Sequence, residues 1–382
     1  MKRRVLICLV VMTCLLPWEE ASRAQVAGAR LVGAVTDETQ AVLPGATVSV
    51  TTVETGIRRT TTTDTAGRYV FANLSPATYD LEASLPGFKT TMRRGIILTV
   101  GSEVATNLTL SVGDVTEQVT VVGEAPLVET RSGAVAGVVE ERVIRDLPLN
   151  GRSFTDLIQL EPGVVRTRAA NKAALSGLGD KMSLGGARPH QMSFLLDGAD
   201  LMSRNNTNPS GVSGLMMGVE SIQEFRVSTS AFSAEFGRNS GGVVSAVTKS
   251  GTNEFHGTVY EFLRNDNLDA RSFFDRDKPE FERNQFGFSV GGPVFRNKTF
   301  FFGNYEGLRQ RLGGTFADTV PTLDARRGVL PNATVQVAES VKPYLALYPL
   351  PNGPELGGGV ARYFWSGSTN TNQDDFVVRL DH

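Results

Sequence analysis

The residue types that most often bind metals or catalyse reactions are sparse in this sequence. The three histidines, His190, His256 and His382, are far apart, and no two stand at the spacing of a zinc-ligand pair. Asp197 and Asp200 lie near two asparagines, Asn205 and Asn206, a set of oxygen ligands that suits calcium. A turn carboxylate followed by a polar loop explains the same residues, so the sequence predicts no metal site.

The serine-acylase motif is incomplete, and the phosphate-binding loop of nucleotide-binding proteins is missing. The run Lys249-Ser250-Gly251 matches the K-[ST]-G element of serine acylases, but no serine lies three residues before any lysine. There is no G-x-x-x-x-G-K-[ST] loop. We therefore expect no enzymatic activity and no cofactor, and we interpret Lys249 as the end of a strand.

Composition and charge narrow the classes further. The chain has 382 residues, of which 41% are hydrophobic, and its net charge of -2 gives no general attraction to nucleic acid. The 40 glycines and 21 phenylalanines favour strands and tight turns and exclude a long helical bundle.

The first 24 residues have the pattern of a secretory signal peptide. A basic start, Met1–Arg4, precedes an apolar stretch, Val5–Leu16, and small residues place the predicted cleavage between Ala24 and Gln25. An uncleaved N-terminal anchor is the alternative. Both cysteines fall inside this segment, so the predicted mature protein has none.

Residues 25–112 predict a small antiparallel β-sandwich. Turns at 43–46, 64–67 and 75–79 separate short β-branched runs. Tyr69 and Phe71, like Tyr79 and Leu81, are spaced by two and should face one core.

Residues 113–249 mix helix and strand patterns. Helices are predicted over 140–147 and after a capping box at Ser153–Asp156, the second of them ended by Pro162-Gly163. A helical turn is predicted over Val219–Phe225 and a strand over 241–247. Asp197-Gly198 predicts a tight turn. Asn150, Arg152, Arg188 and Asp197 are expected to be exposed polar groups without an assigned role.

The start of this zone contains a β-prone strip that we single out as a binding segment. Its residues are Thr116, Glu117, Gln118, Val119, Thr120, Val121 and Val122. An exposed strip of this kind can add a strand to the sheet edge of a partner. The alternative is that it forms the last strand of the sandwich or a strand of the following domain.

Residues 250–382 alternate polar or small residues with aromatic and aliphatic ones. One set contains Phe286, Phe288 and Val290, and another contains Phe376, Val378 and Leu380. Such alternation between polar, Gly-rich connections is typical of transmembrane β-barrels. A soluble sheet with an aromatic core is the alternative.

Two family resemblances follow from these residues. Residues 25–112 resemble the carboxypeptidase regulatory-like domain, a prealbumin-like sandwich, at Gly33–Asp37, Pro44–Val48, Thr63–Tyr69 and Leu85–Phe88. Residues 113–249 resemble the plug domain of TonB-dependent outer-membrane receptors of the Oar-like branch, at Asp146–Arg152, Leu195–Gly198, Glu220–Val227 and Glu235–Val244. Thr248–Gly257 and Asn297–Phe302 resemble the first barrel strands of the same receptors.

The resemblance implies a mainly β protein: a sandwich, an α+β plug domain, and the first strands of an incomplete transmembrane β-barrel at 250–382. It implies an outer-membrane location, with sandwich and plug on the periplasmic side, and uptake of an unidentified ligand. The strip Thr116–Val122 stands where the family has its TonB box and would bind a TonB-type energy-transducing protein. We call it the TonB-box-like segment.

The length of the last zone gives a further expectation. Residues 250–382 supply roughly four to six membrane-crossing strands, whereas the smallest closed barrels have about eight. We therefore interpret the chain as a fragment or a truncated product. The alternative function is a non-transporting periplasmic or cell-surface interaction protein.

Overall fold

The computed structural model describes residues 28–113, 118–122, 134–147, 149, 152, 155–167, 181–202, 217–230, 232, 236–237, 240–270, 278 and 280–382. Three β-rich units follow one another along these residues. The predicted cleavage site, Ala24 and Gln25, lies outside them, as does the start of the TonB-box-like segment.

The first unit is a sandwich of two sheets. One has the order β4-β1-β7, with β8 also paired to β1, and the other has the order β3-β2-β5-β6-β9. The strands are β1 (Ala29–Asp37), β2 (Thr47–Thr52), β3 (Arg58–Thr62), β4 (Arg68–Leu74), β5 (Ala77–Ser84), β6 (Thr90–Leu98), β7 (Glu103–Ala105), β8 (Leu108–Leu110) and β9 (Gln118–Val122).

Side chains spaced by two along the strands form the core of the sandwich, as the sequence predicts. Tyr69, Phe71, Tyr79 and Leu81 are all buried in one apolar cluster. The hydroxyl of Tyr69 donates to the carbonyl oxygen of Thr106 at 2.5 Å, so this buried polar group is satisfied.

The second unit, which we call the plug domain after the family it resembles, has a five-stranded sheet of order β10-β15-β16-β13-β14 and a separate hairpin, β11-β12. Short 3₁₀ turns cover Pro189–Gln191 and Val219–Ser221. The other elements are β10 (Val135–Glu140), α1 (Glu141–Asp146), α2 (Thr155–Ile158), β11 (Val164–Thr167), β12 (Lys181–Leu184), β13 (Ser193–Leu196), β14 (Ala199–Asp200), β15 (Ile222–Ser230) and β16 (Val243–Thr248).

Most local predictions for the plug domain are confirmed, and one is wrong in part. Asp197 has a φ of 49°, as the first residue of the predicted Asp-Gly turn requires. The helical turn predicted over Val219–Phe225 ends at Ser221, because Ile222 begins β15. This strand pairs with β10 on one side and β16 on the other, and two ladders outweigh a weak helical pattern.

The third unit is a sheet that we call the wall, of order β17-β18-β19-β23-β22. Within the described residues it is open, with β17 at one edge and β22 at the other. Its elements are β17 (His256–Asn265), β18 (Phe281–Phe295), β19 (Thr299–Pro321), α3 (Leu323–Arg326), β20 (Val329–Leu330), β21 (Ala333–Thr334), α4 (Lys342–Leu347), β22 (Glu355–Gly357) and β23 (Val360–Asp381), where β20-β21 is a separate hairpin. Among the described residues, we find no helix that could span a lipid bilayer.

The two faces of the wall differ as the alternation predicts. Val259 and Val378 are each 86% exposed on the outer face, where the Tyr305 ring packs against Phe376 at 4.9 Å between centroids. The inner face carries Asn304 and Glu306, both buried towards the plug domain. An apolar outer face and a polar inner face are the arrangement of a lipid-facing barrel strand.

Candidate functional site

The contact between the plug domain and the inner face of the wall contains buried polar and charged side chains. The amide of Asn304 on β19 donates to the hydroxyl of Ser221, which lies in the 3₁₀ turn before β15, at 2.8 Å. Both residues are buried. Because a buried polar pair is costly to separate without water, this bond fixes the turn against the wall.

Arg152 extends the contact from the plug domain to the first wall strand. Its guanidinium donates to the Glu220 carboxylate at 2.7 Å and lies over the rings of Tyr260 at 4.7 Å and Phe262 at 4.3 Å. A guanidinium at this distance from an aromatic face is attracted by the ring quadrupole. The sequence-based expectation that Arg152 is an exposed polar group is therefore wrong, because β17 covers it.

Glu220 is the centre of this charge cluster. Glu220 is 3% exposed, and its carboxylate also lies 3.7 Å from the Lys249 ammonium, which in turn pairs with Glu141 at 3.0 Å. A buried carboxylate without partners would be strongly unfavourable, and here two cations compensate it. Lys249 follows β16 directly, at the end of a strand as predicted. It also pairs with Glu220 and Glu141, two residues of the plug domain.

On the wall side, Glu306 organises a second set of bonds. Its carboxylate accepts from the hydroxyl of Tyr260 at 2.5 Å and from the Gln285 amide at 2.7 Å. Gly218 passes so close to it that an added Cβ would overlap the carboxylate. Tyr260 thus contacts both Arg152 and Glu306 and connects the two sets.

A second connection joins the plug domain to the end of β23. Asp197 accepts from the amide N–H of Thr248 at 3.0 Å and from its hydroxyl at 2.7 Å. The guanidinium of Arg379 donates to the Thr248 carbonyl at 2.7 Å, and Ser250 donates to Asp381 at 2.8 Å. The Asp-Gly turn therefore holds the segment that leads from plug domain to wall.

The sandwich is docked on both other units. The backbone N–H of Val100 donates to the Glu224 carboxylate in β15, and the Gln223 amide donates to the Pro76 carbonyl at 3.1 Å. On the wall side, the N–H of Asn253 donates to the Glu54 carbonyl at 3.1 Å. A cavity of about 600 Å³ lies where the three units meet.

The electrostatics of this docking contact centre on Glu224. Burial raises the pKa of its carboxyl to about 7, and nearby Glu140 acts in the same direction. The hydrogen bond from Val100 and the charge of Arg226 oppose the rise in pKa. The carboxyl therefore changes charge near neutral pH at the seam between sandwich and plug domain.

The structure places part of the TonB-box-like segment. Gln118–Val122 form β9, which pairs in parallel with β6 of the sandwich, as the sequence-based alternative holds. Thr116 and Glu117 lie outside the described residues. The binding role of the segment stays a prediction.

The residues considered for metal binding do not converge in the described part of the chain, where no group of three His, Cys, Asp or Glu side chains is arranged to hold an ion. Asp200 accepts from the N–H of Met202 at 2.8 Å. His382 bonds to the Thr299 hydroxyl at 2.7 Å. These side chains stabilise loops and strand ends.

Sequence reasoning missed the cluster of Arg152, Glu220 and Lys249. Arg152 and Glu220 are 68 positions apart, and no local pattern connects them. The one available signal was the position of Arg152 directly after Asn150-Gly151, which suggests a constrained backbone, and Arg152 has a φ of 52°.

Comparison with known proteins agrees with this architecture. Family models match three consecutive segments: the carboxypeptidase regulatory-like domain at residues 30–111, the TonB-dependent receptor plug domain at 129–244, and an outer membrane beta barrel domain at 247–382. Their order defines the class, an outer-membrane receptor with a plug and a barrel wall.

Curated relatives narrow the class to a family. The chain is 27% identical over 293 residues to the TonB-dependent transporter Oar of Myxococcus xanthus, which covers 72% of this chain and 26% of that protein. It is 27% identical over 179 residues to the probable TonB-dependent siderophore receptor PirA of Acinetobacter baumannii, over 44% of this chain and 22% of the relative. The chain combines three domains that are typical of Oar-like TonB-dependent receptors of the outer membrane and spans about a quarter of the length of these relatives.

Solved structures with similar parts include a siderophore receptor and an outer membrane transporter. The crystal structure of the siderophore receptor PirA from Acinetobacter baumannii is 22% identical, with a TM-score of 0.36, over 49% of this chain and 29% of that one. The outer membrane transporter YddB from Escherichia coli is 16% identical, with a TM-score of 0.36, over 63% and 30%.

Proposed function

We propose that this chain takes part in energy-driven ligand uptake across the outer membrane. The plug domain would block the passage beside the wall, and a TonB-type protein would bind Thr116–Val122 and pull on it. The pull would rearrange the plug domain and open a path for a ligand that the sequence does not identify. In this role the chain binds and moves its ligand without catalysing a reaction.

One observation carries the proposal: the wall presents an apolar face outwards and binds the plug domain through buried polar groups inwards. Val259 and Val378 suit a lipid environment, whereas Arg152, Glu220 and Glu306 sit on the inner side. Polar contacts of this kind hold two units firmly but can be exchanged for water when force is applied. Such contacts suit a plug domain that blocks the passage at rest and is displaced from the wall when it is pulled.

Binding of the transducer tests the partner assignment. In the purified protein, Val119→Pro removes a backbone N–H from the TonB-box-like segment, whereas Val119→Thr keeps the backbone donor and the β-branched shape. With the periplasmic domain of a TonB-type protein as probe, we expect Val119→Pro to weaken binding at least tenfold and Val119→Thr to retain it. Equal binding by both variants would contradict the assignment.

Transport itself is tested in cells. Deleting Thr116–Val122 should leave the protein in the outer membrane with ligand binding intact and should abolish uptake. If uptake continued at the normal rate, the segment would not couple energy to transport. Transducer binding without any uptake would instead favour the non-transporting interaction protein.

A further inference from the structure

The described part of the TonB-box-like segment is already a strand in a sheet. Gln118–Val122 pair in parallel with Thr90–Arg94 of β6, with Met92 opposite Thr120. In the order β3-β2-β5-β6-β9, this strand stands at the end of the sheet. One of its two backbone edges is therefore occupied by the sandwich.

The sandwich is fixed to the units that a pull must move. The backbone N–H of Val100 donates a hydrogen bond to the Glu224 carboxylate of the plug domain. The Gln223 amide of the plug domain donates a hydrogen bond to the Pro76 carbonyl of the sandwich. Asn253, directly before the wall, donates to the Glu54 carbonyl and exchanges a further bond with Asn297 in the turn after β18. The β6 edge is thus held in place relative to both plug domain and wall.

A pull on β9 therefore loads β6 before it loads the plug domain. The first plug strand, β10, begins at Val135, well after β9 in the sequence. While β9 stays paired with β6, force applied to it passes into the sandwich and its docking contacts. Only after β9 has left β6 does the chain between Val122 and Val135 transmit the pull to β10.

We propose that the β6 edge is the resting seat of the TonB-box-like segment and that the sandwich competes with the transducer for it. This inference rests on the proposed function and adds its regulation. Within the described residues the ladder covers five residue pairs at a sheet edge, and parallel pairing is slightly weaker per residue than antiparallel pairing. Such a ladder holds the segment in the resting protein. It is replaced when a partner offers a sheet edge that forms stronger backbone hydrogen bonds with the segment.

A reversible covalent lock tests the competition. Met92→Cys with Thr120→Cys places two thiols on adjacent strands, whose spacing of about 4.8 Å suits a disulfide. The two natural cysteines, Cys8 and Cys14, lie in the predicted signal peptide. The control lock, Thr47→Cys with Thr62→Cys, joins β2 to β3 at an exposed pair in the same sheet.

With the periplasmic domain of a TonB-type protein as probe, we expect the oxidised 92–120 lock to bind at least tenfold more weakly than its reduced form. The 47–62 lock should bind equally well oxidised or reduced. Failure of the 92–120 disulfide to form in the folded protein would overturn the proposed seat, and equal binding by its oxidised and reduced forms would overturn the competition. If the disulfide forms but neither form binds, the proposed coupling role fails and the competition with it, while the seat stands.

Discussion

Arg152 of the plug domain and Tyr260 of the first wall strand are stacked, with the guanidinium carbon 4.7 Å from the ring centre. The same guanidinium pairs with Glu220, and the same tyrosine donates to Glu306. The stack therefore joins a charge pair of the plug domain to a hydrogen-bond network of the wall. A substitution of either residue should therefore weaken contacts in both the plug domain and the wall.

Replacing Arg152 by alanine should loosen the plug domain from the wall. The substitution removes the closest described cation from Glu220, a residue that is 3% exposed, and leaves Lys249 at 3.7 Å as its remaining described ion pair. Loss of one partner of a buried pair costs about 3 kcal/mol. Denaturant unfolding in detergent measures the loss of stability, and limited proteolysis shows whether the plug domain is released.

Arg145 provides the matched control for that experiment. It is exposed and pairs with its neighbour Asp146 at 3.1 Å. Arg145→Ala removes the same charge but should change stability by less than about 0.5 kcal/mol. Equal losses for the two variants would show that the buried cluster has no special role.

Adding one methyl group at Gly218 should also separate the two units. A Cβ at this position would overlap the Glu306 carboxylate, which Tyr260 and Gln285 hold in place. We expect Gly218→Ala to destabilise the protein by about 2 kcal/mol through overpacking, measured by thermal unfolding in detergent. Gly237→Ala, where a Cβ would meet no described atom within 4 Å, should leave the melting temperature nearly unchanged, and a similar shift in both would contradict the contact.

Stability should depend on pH through Glu224. Its pKa in the folded protein, about 7, lies above the ordinary value of 4.5, because burial disfavours the charged form. The folded state therefore binds the proton more tightly, and the stabilisation is complete below about 4.5 and is lost as the pH rises through about 7. The loss in the free energy of unfolding across this window is about 3 kcal/mol at most.

Glu224→Gln tests this dependence, since an amide cannot titrate and its oxygen can still accept the bond from Val100. We expect the variant to lose most of the change in stability between pH 4.5 and 7, measured by denaturant titration at several pH values. Glu38→Gln, at an exposed turn position, should keep the dependence. An unchanged pH profile in Glu224→Gln would assign the effect to another group.

Local patterns predicted the units of this protein better than the contacts between them. The alternation that buries Tyr69 and Phe71 and the turn at Asp197 depend on residues close in the sequence, and both are confirmed. The bond between Val100 and Glu224 spans 124 positions, and it depends on how two finished units dock. No pattern in either segment indicates its partner.

The TonB-box-like segment shows the same limit at the level of one strand. Its Val and Thr residues predict a β-strand but do not say which edge the strand will occupy. Its pairing with β6 is parallel and depends on where the sandwich ends in space. Whether the segment also binds a transducer depends on a molecule outside the chain, which no internal pattern can specify.

The two faces of β23 should tolerate a charge differently. Val378 is 86% exposed on the outer face, opposite Gly303, whereas its neighbour Val377 points to the inner face, opposite Asn304. Because lipid cannot solvate a guanidinium, Val378→Arg should weaken folding into lipid vesicles by roughly 2 kcal/mol. Val377→Arg introduces the same group on the polar side and should cost clearly less. The folded fraction at increasing urea, read from the heat-dependent mobility of the protein on gels, measures both. A larger loss for Val377→Arg than for Val378→Arg would mean that the outer face of the wall does not contact lipid.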